Sequence, residues 1–438
     1  GSVLTSSMMV RGKPLDIRAV DEFTVTVALP APFTPGLALL DNLPILPRHK
    51  LEAALAQGRF DQAWRVGVPL ADLAGLGPFV LTAHVAGQRL VFARNPHYWR
   101  RDDAGVQLPY LDELTVAIVA DQNTETLRMD AGDVDLMSNG DIRPDDYATL
   151  KRAADQGRLR LLDAGIGLDP NLLWFNLSDA TRARSPWLHD KRVRQAISFA
   201  VDRQAMIDTV YLGAAVAIYG PVSPGNRVWA SSAAPQYPHD LVRARALLAS
   251  AGLEDRDTNG LLEDVNGKPV RFSILTQKGH TLRERAATMI QAHLGKVGLS
   301  VDIVAIDQGA VRQRWQTADY DSIYFGTQAS STDPALNLDF WLSSGSFHPW
   351  NPSQKGPATT WEAQIDELME RQAAAPALKE RQRLFADVQR IIGEELPAIY
   401  FVAPRVTVAV SSRVGNPTPV LQSPQLLWSA DTLSRARQ

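Results

Sequence analysis

The 438-residue sequence contains no cysteine. Disulfides and thiolate metal sites are therefore excluded, and an oxidising compartment is allowed without being required. No run approaches the ~18 consecutive apolar residues of a membrane span. No charged-then-apolar leader opens the chain, so an exported protein is expected to have lost its address. Charge of one sign is also missing: 45 Lys and Arg stand against 48 Asp and Glu, a formal net charge of −3. A nucleic-acid partner, which needs a basic footprint, is not expected. His-Glu-x-x-His, Gly-x-Ser-x-Gly and Walker-type loops are absent, which removes the commonest signatures of an enzyme. The eight histidines are scattered from His49 to His348. His97 and His348 adjoin aromatic residues and read as packed or surface imidazoles, so no metal or other cofactor is expected.

What is present is the profile of a soluble globular protein, 45% apolar and 21% charged. The length suits two or three domains, each with its own core. Phe23, Val25, Val27 and Leu29 alternate with Thr24 and Thr26, predicting a half-buried strand over 21–29. A short helix is expected around Lys50–Gln57. Gly75-Leu-Gly-Pro-Phe-Val reads as a turn into a strand; a phosphate loop is disfavoured because Pro78 removes a donor N–H. Leu90 to Trp99 closes that hairpin with Asn-Pro-His-Tyr-Trp. Leu114, Val116, Ile118 and Ala120 alternate as a strand. Asp121 then caps a helix that Gly132 stops. Asn171–Leu177 is another strand.

Val193–Gly213 reads as two short helices. Val193, Ala196, Ile197 and Ala200 make one apolar stripe, and Asp202 is placed to cap the second helix. Met206, Ile207, Val210 and Tyr211 line the second, and Gly213 suits a left-handed stop. Further on, helices are expected over 241–251, 282–297, 361–372 and 378–392. Strands are expected over 271–275, 301–305, 398–402 and 406–410. Alternating strands and helices imply α/β layers.

Two segments carry candidate chemistry. Asp255, Asp257, Asn259 and Gly260 match the first half of an EF-hand loop, but its twelfth position is Asn266, so the bidentate glutamate is missing. A tight polar turn is the ordinary reading, and a weak calcium site at Asp255, Asp257 and Asn259 is the sharper one. The segment Thr327–Trp361 holds three of the chain's ten tryptophans among amides and acids. Such density suits a wet cleft that stacks and hydrogen-bonds a polar ligand. Phe340 and Trp361 read as core anchors, and Trp341 and Trp350 as a stacking surface.

The Val193–Gly213 string resembles the signature of the family-5 solute-binding proteins of ABC importers. Gly75–Phe79, Asn95–Trp99, Ala131–Leu136 and Tyr219–Pro224 resemble family motifs in the family's order. The resemblance implies an α/β, class II periplasmic-binding-protein fold: two α/β lobes with a hinge, closing over a buried ligand, plus a partial extra domain. Residues 1–70 would be the remainder of the extra domain, 71–176 with 406–438 the first lobe, and 177–405 the second. Relatives have more chain before the Phe23 strand. The expectation is that this part is truncated, cleaved or supplied separately, leaving an open sheet edge and uncovered apolar surface.

The resemblance further implies an extracytoplasmic protein, periplasmic or membrane-anchored, that performs no catalysis. It would act as a monomer, capture a small polar solute and deliver it to an ABC permease in the membrane; a sensor module of a receptor is the alternative. Dipeptide and oligopeptide binders of the family hold the peptide amino group with an aspartate at the position of Ser330. Dipeptide binders hold the carboxylate with an arginine at the position of Gln277. Neither residue is charged, which weakens a dipeptide and favours an oligosaccharide, an opine or a longer peptide; sparse histidine argues against nickel. The candidate ligand set is Trp341, Trp350, Asn351, Asp333, Asn337, Ser330, Gln277, Arg283, Trp174 and Tyr219.

Overall fold

The computed structural model describes residues 8–42, 44–119, 121–137, 142–326 and 332–436. The chain divides into two compact units, Gly1–Leu43 with Ile166–Arg405, and Pro44–Gly165 with Val406–Gln438. Within the first unit, Thr34 joins its two segments: its N–H and hydroxyl donate to the carbonyls of Ala373 and Ala375, each at 2.7 Å.

The larger unit is built on a five-stranded sheet. We label its strands β1 (Asn171–Phe175), β2 (Arg271–Gln277), β3 (Ser300–Ile306), β4 (Ser322–Gly326) and β5 (Ala398–Tyr400). Their spatial order is β3-β2-β4-β1-β5. The strands β2, β3 and β4 are mutually parallel, whereas β1 is antiparallel to its neighbours β4 and β5. Strands buried on both faces need apolar residues on both, and β1 shows it. Leu173 and Phe175 enter the core on one face, Leu172 and Trp174 the core on the other.

The first face is covered by the helices of the signature string, α1 (Lys191–Ala200) and α2 (Arg203–Thr209), and by α3 (Thr281–Gly295). Asp202 caps α2 by accepting from the N–H of Ala205 at 3.0 Å, and Gly213 takes φ +85°, as the sequence predicts. The opposite face carries α4 (Gln308–Gln316), α5 (Thr360–Ala374) and α6 (Leu378–Glu395), with Phe340, Trp341 and Trp350 packed beneath them. A full capping box opens α5, with Thr359 and Glu362 satisfying each other's backbone N–H. The crossover β2–α3–β3 runs one way from β2, and α4 then returns the chain to β4 on its other side. The strand order therefore reverses around β2.

The smaller unit contains an antiparallel sheet of Phe79–Val85, Arg89–Arg94 and Glu113–Ala117. The helix Gln122–Ala131 is capped by Asp121 and stopped by Gly132 at φ +80°. Tyr98 and Arg100 both reach the buried Asp431, at 3.0 and 2.7 Å, and so tie the hairpin to the C-terminal segment.

The strand expected over 21–29 is shorter, Val25–Ala28, and among the described residues pairs only with Asp16–Ala19. Its apolar face is not half-buried: Phe23 is 89% exposed and Val25 is exposed as well. A two-stranded hairpin offers its side chains no second layer. Among the described residues, no helix is long and apolar enough to cross a membrane.

Candidate functional site

In an α/β sheet whose parallel strands reverse order, ligands bind beyond the carboxyl ends of the strands. Here that edge gathers Gln277 at the end of β2 and Phe325 and Gly326 at the end of β4. Asn171, which opens β1, is the register partner of Gly326. Arg283 joins them from the first turn of α3. Its Nε donates to Asn171 Oδ1 at 2.8 Å and its Nη1 to Gln277 Oε1 at 2.5 Å. The guanidinium carbon sits 4.0 Å from the centroid of the Phe325 ring, a cation–π stack. Asn171 Nδ2 donates in turn to the buried Tyr211 hydroxyl at 3.3 Å.

Burial lowers the Arg283 pKa from its ordinary value, against the raising influence of the Tyr324 and Tyr211 hydroxyls. Burial also pushes His280 down to about 4, with the Arg283 charge acting in the same direction, so this imidazole is neutral at pH 7. Among the described residues, no carboxylate forms an ion pair with Arg283. The arrangement holds a single positive charge in a ring of neutral donors and acceptors. It can bind an anionic or strongly polar group, and it contains no nucleophile–base pair.

Two of the expected site residues, Gln277 and Arg283, therefore meet. Gln277 is uncharged, and the expected site residue Arg283 places a cation against its amide. Ser330 lies outside the described residues. The expected stacking surface is corrected. Trp341 and Trp350 are each 1% exposed, inside the core that also holds Phe340 and Phe385. Phe340 meets the Trp341 ring edge-on at 4.7 Å and the Trp350 ring at 6.0 Å. The Trp350 N–H donates to Glu362 at 3.3 Å, so even its polar end is satisfied internally. Trp174 is buried on β1 and faces the same core.

Asp333 is engaged by the fold as well. Both its oxygens accept from the buried Arg381 guanidinium, at 2.7 and 2.6 Å, and its side chain caps the turn Pro334–Asn337. Asn337 ends that turn and is half-buried. Asn351 donates to Gln354 and lines a cavity of about 260 Å³ with Lys191, Thr359 and Glu362. Tyr219 stacks on the Arg203 guanidinium, 4.4 Å from its ring centroid.

The acidic turn is exposed. Asp255 accepts from the N–H of Gly260 at 2.9 Å, Asp257 from Asn259 at 3.1 Å, and Asn259 from Leu261 at 2.7 Å. Glu263, ninth in the loop, brings a carboxylate within 4.8 Å of those of Asp255 and Asp257. Sequence reasoning passed over Glu263, Asn171, Tyr211, Phe325 and Gly326. Glu263 was legible as an acid in the loop. Asn171, Phe325 and Gly326 come together through the pairing of β1 with β4, and Tyr211 joins them from just beyond α2.

From residue 4 to residue 348 the sequence matches the profile of bacterial extracellular solute-binding proteins, family 5 Middle. It is 27% identical over 427 residues to a probable ABC transporter-binding protein of Deinococcus radiodurans, covering 92% of this chain and 71% of that one. It is 24% identical to the oligopeptide-binding protein AppA of Bacillus subtilis, covering 85% of this chain and 63% of that one. Among solved structures, the fold matches AgaA of A. tumefaciens R10 in complex with agropinic acid. That match has a TM-score of 0.74 and 24% identity, and covers 99% of this chain and 79% of that one. The chain belongs to the bacterial extracellular solute-binding proteins, family 5.

Proposed function

We propose that this chain is the solute-capturing component of an ABC importer. It works outside the cytoplasm, in the periplasm or anchored at the cell surface, binds as a monomer and passes its solute to a membrane permease. Its work is differential affinity rather than chemistry: the conformation that binds the solute better is populated when solute is present. The solute is small and polar, an oligopeptide, an opine or an oligosaccharide. Relatives described by their names as binding an oligopeptide and agropinic acid support that range. The observation that carries the reading is the Arg283 cluster itself, a preformed polar cradle at the carboxyl ends of parallel strands.

Native mass spectrometry of freshly purified protein, followed by thermal melts with peptides, opines and oligosaccharides, tests this reading. One solute class is expected to raise the melting temperature, since a ligand at a hundred times its Kd adds about 2.7 kcal/mol to the folded state. Neither a co-purified small molecule nor a stabilising solute in any class would contradict it.

A further inference from the structure

The opposite edge of the five-stranded sheet carries a cavity of its own. β1 runs antiparallel to β4, so it ends where β4 begins: the N–H of Asn176 donates to the carbonyl of Asp321 at 2.9 Å. A strand advances about 3.3 Å per residue, which puts Leu177 roughly 20 Å from Asn171 and the Arg283 cluster. Leu177 lines the cavity of about 260 Å³ that Asn351 borders. That volume falls just below the ~300–1,000 Å³ of pockets for drug-sized ligands, so it suits a small occupant.

Three cations reach this cavity, Arg182, Lys191 and Arg194, against two carboxylates, Glu362 and Glu395. Both carboxylates are engaged. One Glu362 oxygen accepts from the Trp350 and Gln354 side chains, the other from the N–H groups of Ala358 and Thr359. Glu395 accepts from the Lys191 ammonium at 2.8 Å. The cations are not used up. Arg194 is 2% exposed and donates to the carbonyls of Leu188, Glu395 and Leu396 at 2.6–3.0 Å. Among the described residues this leaves one N–H on each Nη without an acceptor. Lys191, half-exposed, spends one of its three donors on Glu395. Arg182 is exposed, with its Nε 3.4 Å from Asp179. His189 lines the same cavity. Burial, then the Arg182 and Arg194 charges, push it down to about 4, so it is neutral at pH 7. The free valences are therefore mainly donors, and a buried donor without an acceptor carries a desolvation cost that an incoming acceptor offsets.

We infer that this cavity is a second ligand site, which takes a small organic carboxylate. Arg194 and Lys191 hold the anionic head, and Leu177 and the Trp361 ring flank its carbon body. The inference stands apart from the solute-capture reading. Three cations against two carboxylates leave one positive charge unbalanced, which a monoanion neutralises and a dianion overfills. The apolar wall favours an organic body over an inorganic ion.

The probes are benzoate, phenylacetate and hexanoate, each beside its amide, titrated at constant ionic strength by saturation-transfer NMR. The wild-type chain is compared with Arg283→Gln and with the double variant Lys191→Gln, Arg182→Gln, whose sites are exposed and whose melt is expected to be unchanged. At least one acid is expected to bind with a Kd of about 1 mM or tighter, and about tenfold or more below that of its amide. The double variant is expected to lose that preference, and Arg283→Gln to keep it. Acid and amide binding alike, no acid bound at about 10 mM, or a preference that survives the double variant overturns the site. A preference lost in Arg283→Gln would place the acid at the solute cluster and overturns it too. Sulfate or phosphate displacing the acid as readily as the acid itself binds overturns the organic carboxylate.

Discussion

Arg203 and Arg283 both carry a guanidinium into the larger unit, and they are held differently. Arg203 is 4% exposed and saturated by the protein. Its nitrogens donate to the carbonyls of Ile218, Tyr400, Ser198 and Tyr237 and to the Ser198 hydroxyl, at 2.9–3.3 Å. Arg381 is closed in another way, by the fork-to-fork contact with Asp333. Among the described residues, Arg283 has two amide partners and donors left over. A buried guanidinium that the chain satisfies completely holds the fold together; one that it satisfies in part is set up for something the chain does not contain. The contrast separates stability from binding, and each half can be attacked alone.

The largest effect falls on the saturated side. Arg203→Met strands several buried carbonyls at once and is expected to cost about 5 kcal/mol in urea denaturation, at the upper end for breaking a buried charged network. A loss below about 1 kcal/mol would show that the carbonyls find other partners and that saturation says little about stability. Next comes Trp341→Ala, expected to cost about 4 kcal/mol because its ring fills the core against Phe340 and Phe385. A variant that melts like the parent yet fails to bind solute would restore the ligand-stacking role that burial removes.

A smaller effect follows pH. The folded-state pKa values of His280 and His189 are both depressed from 6.5 to about 4, chiefly by burial. The unfolded chain therefore takes up these protons first. The stabilisation is complete above pH 6.5 and is lost as pH falls toward 4. Denaturation midpoints should decline across that window, and less steeply in His280→Gln. A flat profile would place these imidazoles in solvent. Smaller still, Asp255→Ala with Asp257→Ala removes exposed turn carboxylates and should change stability by less than about 0.5 kcal/mol. Solute affinity should also be unchanged, with calcium or with a chelator present. A strongly calcium-dependent melt would make the Asp255, Asp257 and Glu263 cluster a metal site.

Much of the fold was legible because it rests on local rules. The Asp202 cap, the Gly213 stop and the stripes of α1 to α3 follow from spacing along one helix. The strands β1, β2 and β3 follow from apolar runs. The misreadings have one physical source: composition does not report what lies on the other side of a residue. Phe23 and Val25 alternate like a half-buried strand, yet the hairpin gives them no second layer. Trp341 and Trp350 sit among polar residues in sequence, yet Glu362 and Asp366 satisfy the neighbouring polar groups inside the fold. The Arg283 site was half-legible. Gln277 and Arg283 are one helical turn and a short loop apart, but Asn171 and Gly326 reach them only through the pairing of β1 with β4.

The central claim is that Arg283 serves the solute rather than the fold. Urea denaturation of Arg283→Gln beside the wild-type chain, both free of solute, tests it most directly. The account predicts midpoints that agree to within about 0.5 kcal/mol, or a slight gain for the variant, because a shorter neutral amide removes the cost of burying a charge. A loss of about 3 kcal/mol or more, the scale expected for breaking a buried ion pair, would contradict it and return Arg283 to the class of Arg203.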